Sequence, residues 1–498
     1  INGRRFIGFG GNWGFGESNL NYREREYDIA VAYHADMNFT MIRNWVGQIG
    51  DKEFYEACDR HGIMVWQDFW LANPVDGPNP YYTEMFNANA CDYLKRIRNH
   101  PSIGIYVGRN EGNPPAGIDD YLRGLVFREH PGLYYISNSA MGVVSGGGPY
   151  RALSPKSYFQ SYGHDKFHSE RGMPNVMNYE SMLLTFGTDK IEPVNTSETP
   201  NPVYGLHDYT LGGGKGSSAQ AASSFNDMIE KAFGRPRDAK QFAEWAQWIN
   251  YDGYRAIFEG RSEHRRGMLL WMSHSAWPSM VWQTYDYYFD PNAAYFGCKK
   301  ASEPLHIQWN PLRDDIEVVN YHAFDRTGLT ATASLFNQDG TLQWTRETKL
   351  DIKEDQTVAC FPLEQPETLS DTYFIKLSLT DSDGKQLSDN FYWRGKEDGN
   401  YKSLLQLPKV SVCKNVTVKK TGKEWLIRAV LKNEARTPAL MLRLKVAGEK
   451  SGRMLLPVFY SDNYFSLLPG EVKEVDIRLY DADTYGEKPV LEVLGFNL

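Results

Sequence analysis

The sequence predicts an α/β protein in which a (β/α)8 barrel, the TIM barrel, is followed by two immunoglobulin-like β-sandwich domains. Residues 1–302 alternate strand-like and helix-like segments, which is the pattern of a parallel barrel. Residues 303–498 instead form short alternating segments separated by turns, for example at 337–340 and 381–384, which is typical of sandwiches. A chain of 498 residues is longer than a single hydrophobic core usually serves, so a division into several domains is expected.

Within the barrel, strands are predicted where apolar residues run without a helical period, and helices where charged and apolar residues separate onto two faces. The predicted strands are 5–13, 38–46, 62–70, 102–111, 133–137, 167–172 and 267–272. The predicted helices are 22–35, 52–61, 85–99, 119–128 and 239–259. An eighth strand is expected between residues 137 and 167, where glycines and a proline at 146–149 break any pattern.

The barrel is assigned to residues 1–302 and the two sandwiches to residues 303–400 and 401–498. About seven strands fit into each set of alternating segments, which is the number of an immunoglobulin-like sandwich. A polar linker at 394–401 separates the two sets. Neither set shows a cluster of catalytic residue types, so both are interpreted as scaffold.

Composition and charge narrow the classes of function. The formal charge of −8 and the pI of about 5.8 disfavour a nucleic-acid partner bound by general electrostatics. No run of about 18 apolar residues is present, so no membrane-spanning segment is predicted. The five cysteines show no CxxC spacing, so neither a zinc site nor a disulfide framework is implied. Aromatic residues make up 14% of the chain, which fits either carbohydrate binding or an aromatic core.

Two glutamates at strand ends carry the predicted chemistry. Glu111 follows an apolar strand, and Glu170 lies at the end of another short strand. In a parallel barrel both would lie on the carboxyl-end rim, where such enzymes keep their reactive groups. A retaining glycosidase needs two carboxylates there, about 5 Å apart, one as acid/base and one as nucleophile. Glu180 is the rival for the second role, but its helix position does not point at the rim.

Ordered motifs along nearly the whole chain resemble glycoside hydrolase family 2, in its β-mannosidase and exo-β-glucosaminidase branch. The resembling segments are 10–13 (GGNW), 37–43 (MNFTMIR), 53–55 (EFY), 65–70 (VWQDFW), 98–103 (RNHPSI), 108–111 (GRNE), 169–170 (SE), 276–279 (AWPS), 285–287 (YDY) and 461–471 (SDNYFSLLPGE). The resemblance implies double displacement with retention, in which Glu111 is the general acid and then the base and Glu170 is the nucleophile. It also implies that Asn110 bonds the 2-substituent of the sugar.

Supporting roles come from the same resemblance. Arg43 is expected either to hydrogen-bond Glu170 and keep it ionised or to form a structural ion pair. Trp277 is the candidate platform beneath the bound sugar ring, with core packing as the alternative. His207 either reaches the site from a loop or is an ordinary loop histidine.

Three further residues are expected to line the pocket for the non-reducing sugar, namely Asp68, Trp70 and Asn12. The proline-bearing loop at 73–80 is expected on the same rim, because its prolines suit neither a helix nor a central strand. The resemblance implies no cofactor and no obligatory metal. The expected ligand is an oligosaccharide or another glycoside, and a secreted or periplasmic protein is expected.

The sequence departs from the family pattern in two respects. Family members ordinarily carry a sugar-binding domain and a sandwich before the barrel, whereas this sequence starts at the first barrel strand. We expect that those domains were removed, that a separate chain supplies them, or that activity is impaired. The amino-sugar enzymes have an acidic residue shortly after the arginine of the second strand, but residues 43–48 read RNWVGQ. This puts glucosaminidase activity in doubt and leaves mannoside, galactoside or uronide open.

The leading hypothesis is an exo-acting retaining β-glycosidase, of β-mannosidase, β-glucosaminidase or β-galactosidase type. The alternative is a non-catalytic carbohydrate-binding or assembly protein with a degenerate barrel. The presence of both glutamates favours the enzyme.

Overall fold

The computed structural model describes residues 1–160, 165–211, 222–321 and 324–498. The chain divides into two compact units. The first unit comprises Ile1–Tyr150, Ser161–Met173 and Glu263–Pro278, and the second comprises Arg151–Gln160, Pro174–Ser262 and Ser279–Leu498. The predicted boundaries at residues 302 and 400 stay predictions.

The first unit is built on a parallel sheet of eight strands. These are β1 Phe9–Trp13, β2 Met41–Asn44, β3 Met64–Asp68, β4 Ile103–Arg109, β5 Tyr134–Asn138, β6 Val144–Ser145, β7 Phe167–Arg171 and β8 Met268–Leu270. Their order in the sheet is β5-β4-β3-β2-β1-β8-β7-β6, and every neighbouring pair is parallel. Because β1 pairs with both β2 and β8, the order follows the chain cyclically, as in a TIM barrel.

The interior of this sheet is filled by one apolar cluster to which distant strands contribute. Met41, Trp66, Val107, Val144 and Leu269 are its buried members, and side chains of β5 and β7 pack against them. Packing of interior side chains from so many strands is the layered core of a TIM-like barrel. The predicted fold class is thereby confirmed for this part of the chain.

Four helices of the first unit follow β1 to β4 in turn. They are α1 Glu24–Asp36, α2 Lys52–His61, α3 Thr83–Ile97 and α4 Ala116–Glu129. The end of α2 shows how local sequence sets these boundaries: Gly62 has a φ of +69°, a left-handed conformation that glycine takes without the usual cost. The chain turns at Gly62 and enters β3 at Met64.

The second unit contains six α-helices among its described residues. They are α5 Pro155–Phe159, α6 Tyr179–Phe186, α7 Pro202–Leu206, α8 Ala222–Phe233, α9 Ala239–Glu259 and α10 Ala293–Ala301. The bounds of α9 are those predicted from the sequence. Asp238, directly before the helix, caps it: the Asp238 side chain accepts a hydrogen bond from the backbone N–H of Gln241 at 2.8 Å.

The remaining strands of the second unit form two antiparallel groups of seven. The first group is β9 Leu305–Asn310, β10 Asp315–Asn320, β11 Arg326–Asn337, β12 Leu342–Ile352, β13 Gln356–Pro362, β14 Thr372–Thr380 and β15 Gln386–Gly395. It makes sheets β13-β10-β9 and β12-β11-β14-β15. All seven strands contribute to one buried apolar cluster, so the two sheets form a sandwich, as predicted.

The second group repeats this plan. Its strands are β16 Val412–Thr421, β17 Glu424–Asn433, β18 Ala439–Gly448, β19 Val458–Tyr460, β20 Phe465–Leu467, β21 Val472–Tyr480 and β22 Pro489–Leu494. They form sheets β16-β17-β21-β19 and β20-β18-β22.

In the parts of the chain that the structure describes, no helix combines the length and the apolar character needed to cross a bilayer.

Candidate active site

The two glutamates lie where the sequence predicted them, at the carboxyl ends of parallel strands. Glu170 is the fourth residue of β7 and is 2% exposed. Glu111 lies in the turn that follows β4. This turn begins at Asn110, directly after the apolar strand. Carboxyl ends of parallel strands share one rim, so β4 and β7 deliver both carboxylates to the same side of the sheet.

Arg43, in β2, joins the two strand ends. Its Nη1 donates to Oε1 of Glu170 at 2.7 Å, and its Nη2 donates to Oδ1 of Asn110 at 2.8 Å. The side chain is fully buried, and its guanidinium lies 5.5 Å from the ring centroid of Trp66. Burial would lower the pKa of Arg43, but Asp68 and Glu170 raise it above its ordinary value, so the guanidinium stays charged. The predicted bond to Glu170 is present.

Asp68 is bound to Arg43 and is fully buried. Its carboxylate accepts from Nε and Nη2 of Arg43, the latter at 2.7 Å. It also accepts from Nε1 of Trp66 at 2.8 Å and from the backbone N–H of Val46 at 3.0 Å. Because both oxygens are engaged in this way, Asp68 positions Arg43, and its expected role in lining the sugar pocket stays a prediction.

Glu170 has a second partner that the sequence did not reveal. The hydroxyl of Tyr150 donates to Oε2 of Glu170 at 2.7 Å. Burial raises the pKa of Glu170 to about 7; the charge of Arg43 opposes this rise, the charge of Glu111 adds to it, and the Tyr150 bond opposes it. The negative charge of Glu111 therefore acts on Glu170, which means that the two carboxylates share one electrostatic environment.

Tyr150 follows the glycine-rich stretch 146–149, in which no element could be assigned from the sequence. Burial, followed by the negative charges of Glu170 and Glu111, raises its pKa, so the hydroxyl keeps its proton and acts as a donor. The glycine-rich turn is the only feature of the sequence that points to Tyr150 as a site residue, because closely spaced glycines allow the backbone to approach a site. A Cβ added at Gly147 would lie 3.4 Å from Oε1 of Glu111.

Glu111 is half-buried and has a left-handed backbone, with a φ of +47°. Such a conformation is unfavourable for a residue with a side chain and is found at functional sites when the surroundings hold it. Here the backbone N–H of Glu111 donates to Oγ of Ser139 at 2.9 Å. The Ser139 hydroxyl in turn donates to Oδ1 of Asn110 at 3.2 Å, so the turn is fixed by the residue that follows β5.

Asn12 and Trp70 take part in packing. Nδ2 of Asn12 donates to the carbonyls of Ser169 and Leu270, both at 2.9 Å, and so ties β1 to β7 and β8. Trp70 donates from Nε1 to the carbonyl of Gly47 at 3.1 Å, and its ring packs on Tyr93. Sugar contacts by Asn12 and Trp70 stay predictions.

Trp277 and His207 lie in different units. The indole of Trp277 is 38% exposed and belongs to the first unit, where it follows β8. His207 belongs to the second unit, where it follows α7 and its ring packs on Phe186 at 5.1 Å between centroids. The platform role of Trp277 and the site role of His207 stay predictions.

Glu180, the rival nucleophile, is engaged elsewhere in the second unit. Arg443 donates to its Oε2 at 2.8 Å and Lys445 to its Oε1 at 3.3 Å. Burial would raise the pKa of Glu180, but these cations lower it to about 2. Its two oxygens are therefore occupied by the second sandwich, which explains why a carboxylate lies among apolar helix positions.

Two carboxylates at strand ends of a TIM-like barrel are the arrangement expected of a retaining glycosidase, and the comparisons with known proteins find enzymes of that kind. Residues 390–498 match the exo-β-D-glucosaminidase Ig-fold domain. Over its full length the chain is 27% identical to a mannosylglycoprotein endo-β-mannosidase from Lilium longiflorum and 28% identical to an exo-β-D-glucosaminidase from Streptomyces avermitilis. These likenesses agree with the resemblance to glycoside hydrolase family 2, in the branch of the β-mannosidases and exo-β-D-glucosaminidases.

Solved structures show the same fold. The exo-chitosanase CsxA of Amycolatopsis orientalis superposes with a TM-score of 0.88 at 24% identity, and a β-D-mannosidase from Dictyoglomus thermophilum with 0.78 at 20% identity. Both likenesses cover the whole chain, and 63% and 61% of the respective structures. The chain likewise spans 63% of the lily enzyme and 60% of the Streptomyces enzyme.

Proposed function

We propose that this chain carries the catalytic centre of an exo-acting retaining β-glycosidase, with Glu170 as nucleophile and Glu111 as general acid and base. The observation that carries the proposal is the bridge made by Arg43, which bonds Glu170 directly and bonds Asn110, the residue before Glu111. The electrostatic influence of Glu111 on Glu170 supports it. Two mutually interacting carboxylates at strand ends are what a retaining mechanism requires.

The reaction follows from these positions. A carboxylate oxygen of Glu170 attacks the anomeric carbon while the bond to the leaving oxygen breaks, and Glu111 gives that oxygen its proton. Glu111, now a carboxylate, then takes a proton from water, whose oxygen displaces Glu170 from the anomeric carbon. The product keeps the β configuration. Because the Oδ1 atom of Asn110 accepts from Arg43 and Ser139, Asn110 offers its Nδ2 group to the 2-substituent of the sugar.

The sugar is inferred from the turn after β2. Asn44 and Trp45 follow Arg43, and the indole of Trp45 packs edge-on against Trp271 at 5.0 Å between centroids. Residues 44–48 carry no acidic side chain to pair with a free 2-amino group, so we infer a β-mannoside, β-galactoside or β-uronide. The exo-β-D-glucosaminidases among the relatives make a β-glucosaminide the alternative.

The test is turnover of a panel of aryl β-glycosides. We expect one of the neutral or acidic sugars to be hydrolysed, and Glu170→Gln to abolish turnover, because no nucleophile remains. Glu170→Ala with azide should regain activity and give the α-glycosyl azide. Glu111→Ala should spare substrates with acidic leaving groups, which need little protonation.

The alternative, a carbohydrate-binding protein with a degenerate barrel, predicts sugar binding without turnover of any member of the panel. Equal loss on all leaving groups in Glu111→Ala would contradict the acid assignment, and no rescue by azide in Glu170→Ala would contradict the nucleophile assignment.

A further inference from the structure

A cavity in the second unit is lined by residues that the proposed chemistry does not use. Its volume is about 190 Å³, and its lining residues come from both sandwiches and from α9 and α10. Glu111 and Glu170 belong to the first unit. Small-molecule sites are found preferentially where domains meet, in concave places that combine apolar walls with a few polar groups.

Six charged side chains line this cavity, three of each sign. They are Lys300, Lys376 and Lys473, and Asp389, Asp462 and Glu471. Their formal charges sum to zero. The ligand that fits such a wall is set by the order in which the two signs follow each other.

Four of the six groups form one alternating chain. Nζ of Lys300 lies 2.6 Å from Oδ1 of Asp389, and Oδ2 of Asp389 lies 3.5 Å from Nζ of Lys473. Lys473 also lies 2.7 Å from Oδ2 of Asp462. A charged ligand in the cavity would therefore meet a group of its own sign next to each group of opposite sign, and the attraction and repulsion would cancel. The chain favours a neutral ligand.

These groups keep hydrogen-bonding capacity for a ligand. An ammonium group has three donors and a carboxylate has about four acceptor sites. Among the described residues, Lys473 donates to Asp462 and Asp389, and each oxygen of Asp389 receives one lysine. The side chains of Asp389, Lys473 and Lys376 are 29%, 25% and 36% exposed, so the remaining donors and acceptors can be reached.

Both signs stay charged in this setting. Burial would raise the pKa of Asp389, but Lys300 and Lys473 hold it well below its ordinary value. Burial would lower the pKa of Lys473, but Asp462 and Asp389 raise it above its ordinary value. The cavity therefore offers fixed donors and acceptors side by side at neutral pH.

Aromatic side chains supply an apolar part of the wall. Phe391 of β15 and Phe465 of β20 are half-buried, and both line the cavity. Nζ of Lys473 lies 5.7 Å from the ring centroid of Phe465, so a donor lies beside an apolar face. A sugar ring combines the matching features, because its CH faces pack on apolar rings and its hydroxyls both donate and accept.

We propose that this cavity, formed only by residues of the second unit, is a binding site for a single neutral sugar ring. Its volume corresponds to about six water molecules at their liquid density, which is the room that a six-membered ring with its hydroxyls needs. Sugar hydroxyls accept from ammonium groups and donate to the neighbouring carboxylates, so they match the alternating wall without bringing a charge. The inference does not depend on the proposed function.

The test is hydrogen exchange of the 498-residue chain, followed by mass spectrometry, with D-glucose, D-mannose, D-galactose, D-glucosamine and D-glucuronate. We expect one of the neutral hexoses to slow exchange in peptides that contain residues 386–393 and 462–473, by about tenfold at ten times its Kd. Peptides that contain Glu111 or Glu170 report the proposed catalytic centre separately. Binding at the two places is thus distinguished in one experiment.

Variants locate the site. Val472 lines the cavity and is 57% exposed, so Val472→Trp fills space without removing a charged group, and Gln386→Trp does the same from β15. Both should abolish the protection. Leu342→Trp is the matched control, because Leu342 is 54% exposed in β12 and does not line the cavity; the protection should stay. Lys376→Gln removes a charged donor and should weaken binding about tenfold.

The results decide each part of the inference. If no neutral hexose protects the cavity peptides up to about 100 mM, the site is overturned. Stronger protection by glucosamine or glucuronate than by every neutral hexose overturns the neutral ligand. Protection that persists in both tryptophan variants overturns the location, and an unchanged Kd in Lys376→Gln overturns the role of the lysine.

Discussion

At the scale of single residues, the main conflict is the burial of a carboxylate that has to be ionised. Burial raises the pKa of Glu170 to about 7, while Arg43 and the Tyr150 hydroxyl both favour its charged form. A nucleophilic carboxylate reacts only when it is deprotonated. We therefore expect kcat/KM to fall as the pH is lowered through about 7, because the protonated fraction of Glu170 then grows.

Tyr150→Phe tests this account of Glu170. The variant removes a hydrogen bond that favours the carboxylate, so the pKa of Glu170 rises and the acid limb of kcat/KM moves to higher pH, by about one pH unit. Tyr135→Phe is the matched control, since it removes a hydroxyl that is bonded to Asp119 at 2.6 Å. An acid limb that stays in place in Tyr150→Phe would contradict the role of this bond.

The residue scale also shows what sequence reasoning can and cannot find. Glu111 could be predicted from the apolar run of its strand, Glu170 from a short strand-like run, and Arg43 from the family motif that contains it. Tyr150 could not, because its position depends on a glycine-rich turn whose path no periodicity encodes. The bonds of Asp68 to Arg43 and Trp66 could not be predicted, because a strand-end carboxylate looks the same in sequence whether or not a buried arginine lies beside it.

At the scale of elements, α9 is joined to the first sandwich by buried charges. Asp252 accepts from Arg255 at 2.6 Å and from Arg394 of β15 at 2.9 Å. All three side chains are buried. A buried ion pair adds little compared with apolar packing, but removing one partner leaves the other charge in the interior without compensation.

Asp252→Asn should therefore destabilise the protein by about 3–5 kcal/mol, because two buried arginines lose their counter-charge. Asp476→Asn provides the control: Asp476 pairs with Arg428 at 2.8 Å, but both side chains are more than half exposed, so the loss should be below about 1 kcal/mol. Urea unfolding of both variants measures the difference. Equal midpoints would contradict the structural role of the Asp252 cluster.

The sequence predicted the cores of the long strands, but it predicted neither the exact position of β6 nor the extent of β8. The core of each long strand was predicted, since a continuous apolar run needs only local information. The eighth strand, β6, was placed only within the region 137–167, because its two residues Val144–Ser145 are too short to show a period. β8 is shorter than its predicted range for a similar reason: an apolar run does not show where sheet pairing stops.

At the scale of the whole molecule, the sandwiches are part of the compact unit that contains α6 and α9. Besides Asp252, two carboxylates of these helices have partners in the sandwiches. Glu259 lies 3.0 Å from Nε2 of His306, and Glu180 pairs with Arg443. Helices α6 and α9 thus depend on the C-terminal strands for these counter-charges.

A chain that ends at residue 302 should therefore not reproduce the stability of the longer one, because it leaves several carboxylates of α6 and α9 without partners and exposes their apolar neighbours. We expect a lower and broader thermal transition, with aggregation, by circular dichroism and size-exclusion chromatography. A cooperative transition of residues 1–302 at the temperature of the 498-residue chain would contradict this dependence.

The most direct measurement of the central claim is to trap the glycosyl-enzyme. A 2-deoxy-2-fluoroglycosyl fluoride of the accepted sugar slows both steps but lets fluoride leave, so the ester accumulates and a labelled peptide can be sequenced by mass spectrometry. The account predicts one sugar per chain, attached to Glu170 and absent in Glu170→Gln. A label on another carboxylate, or turnover with inversion and no label, would contradict it.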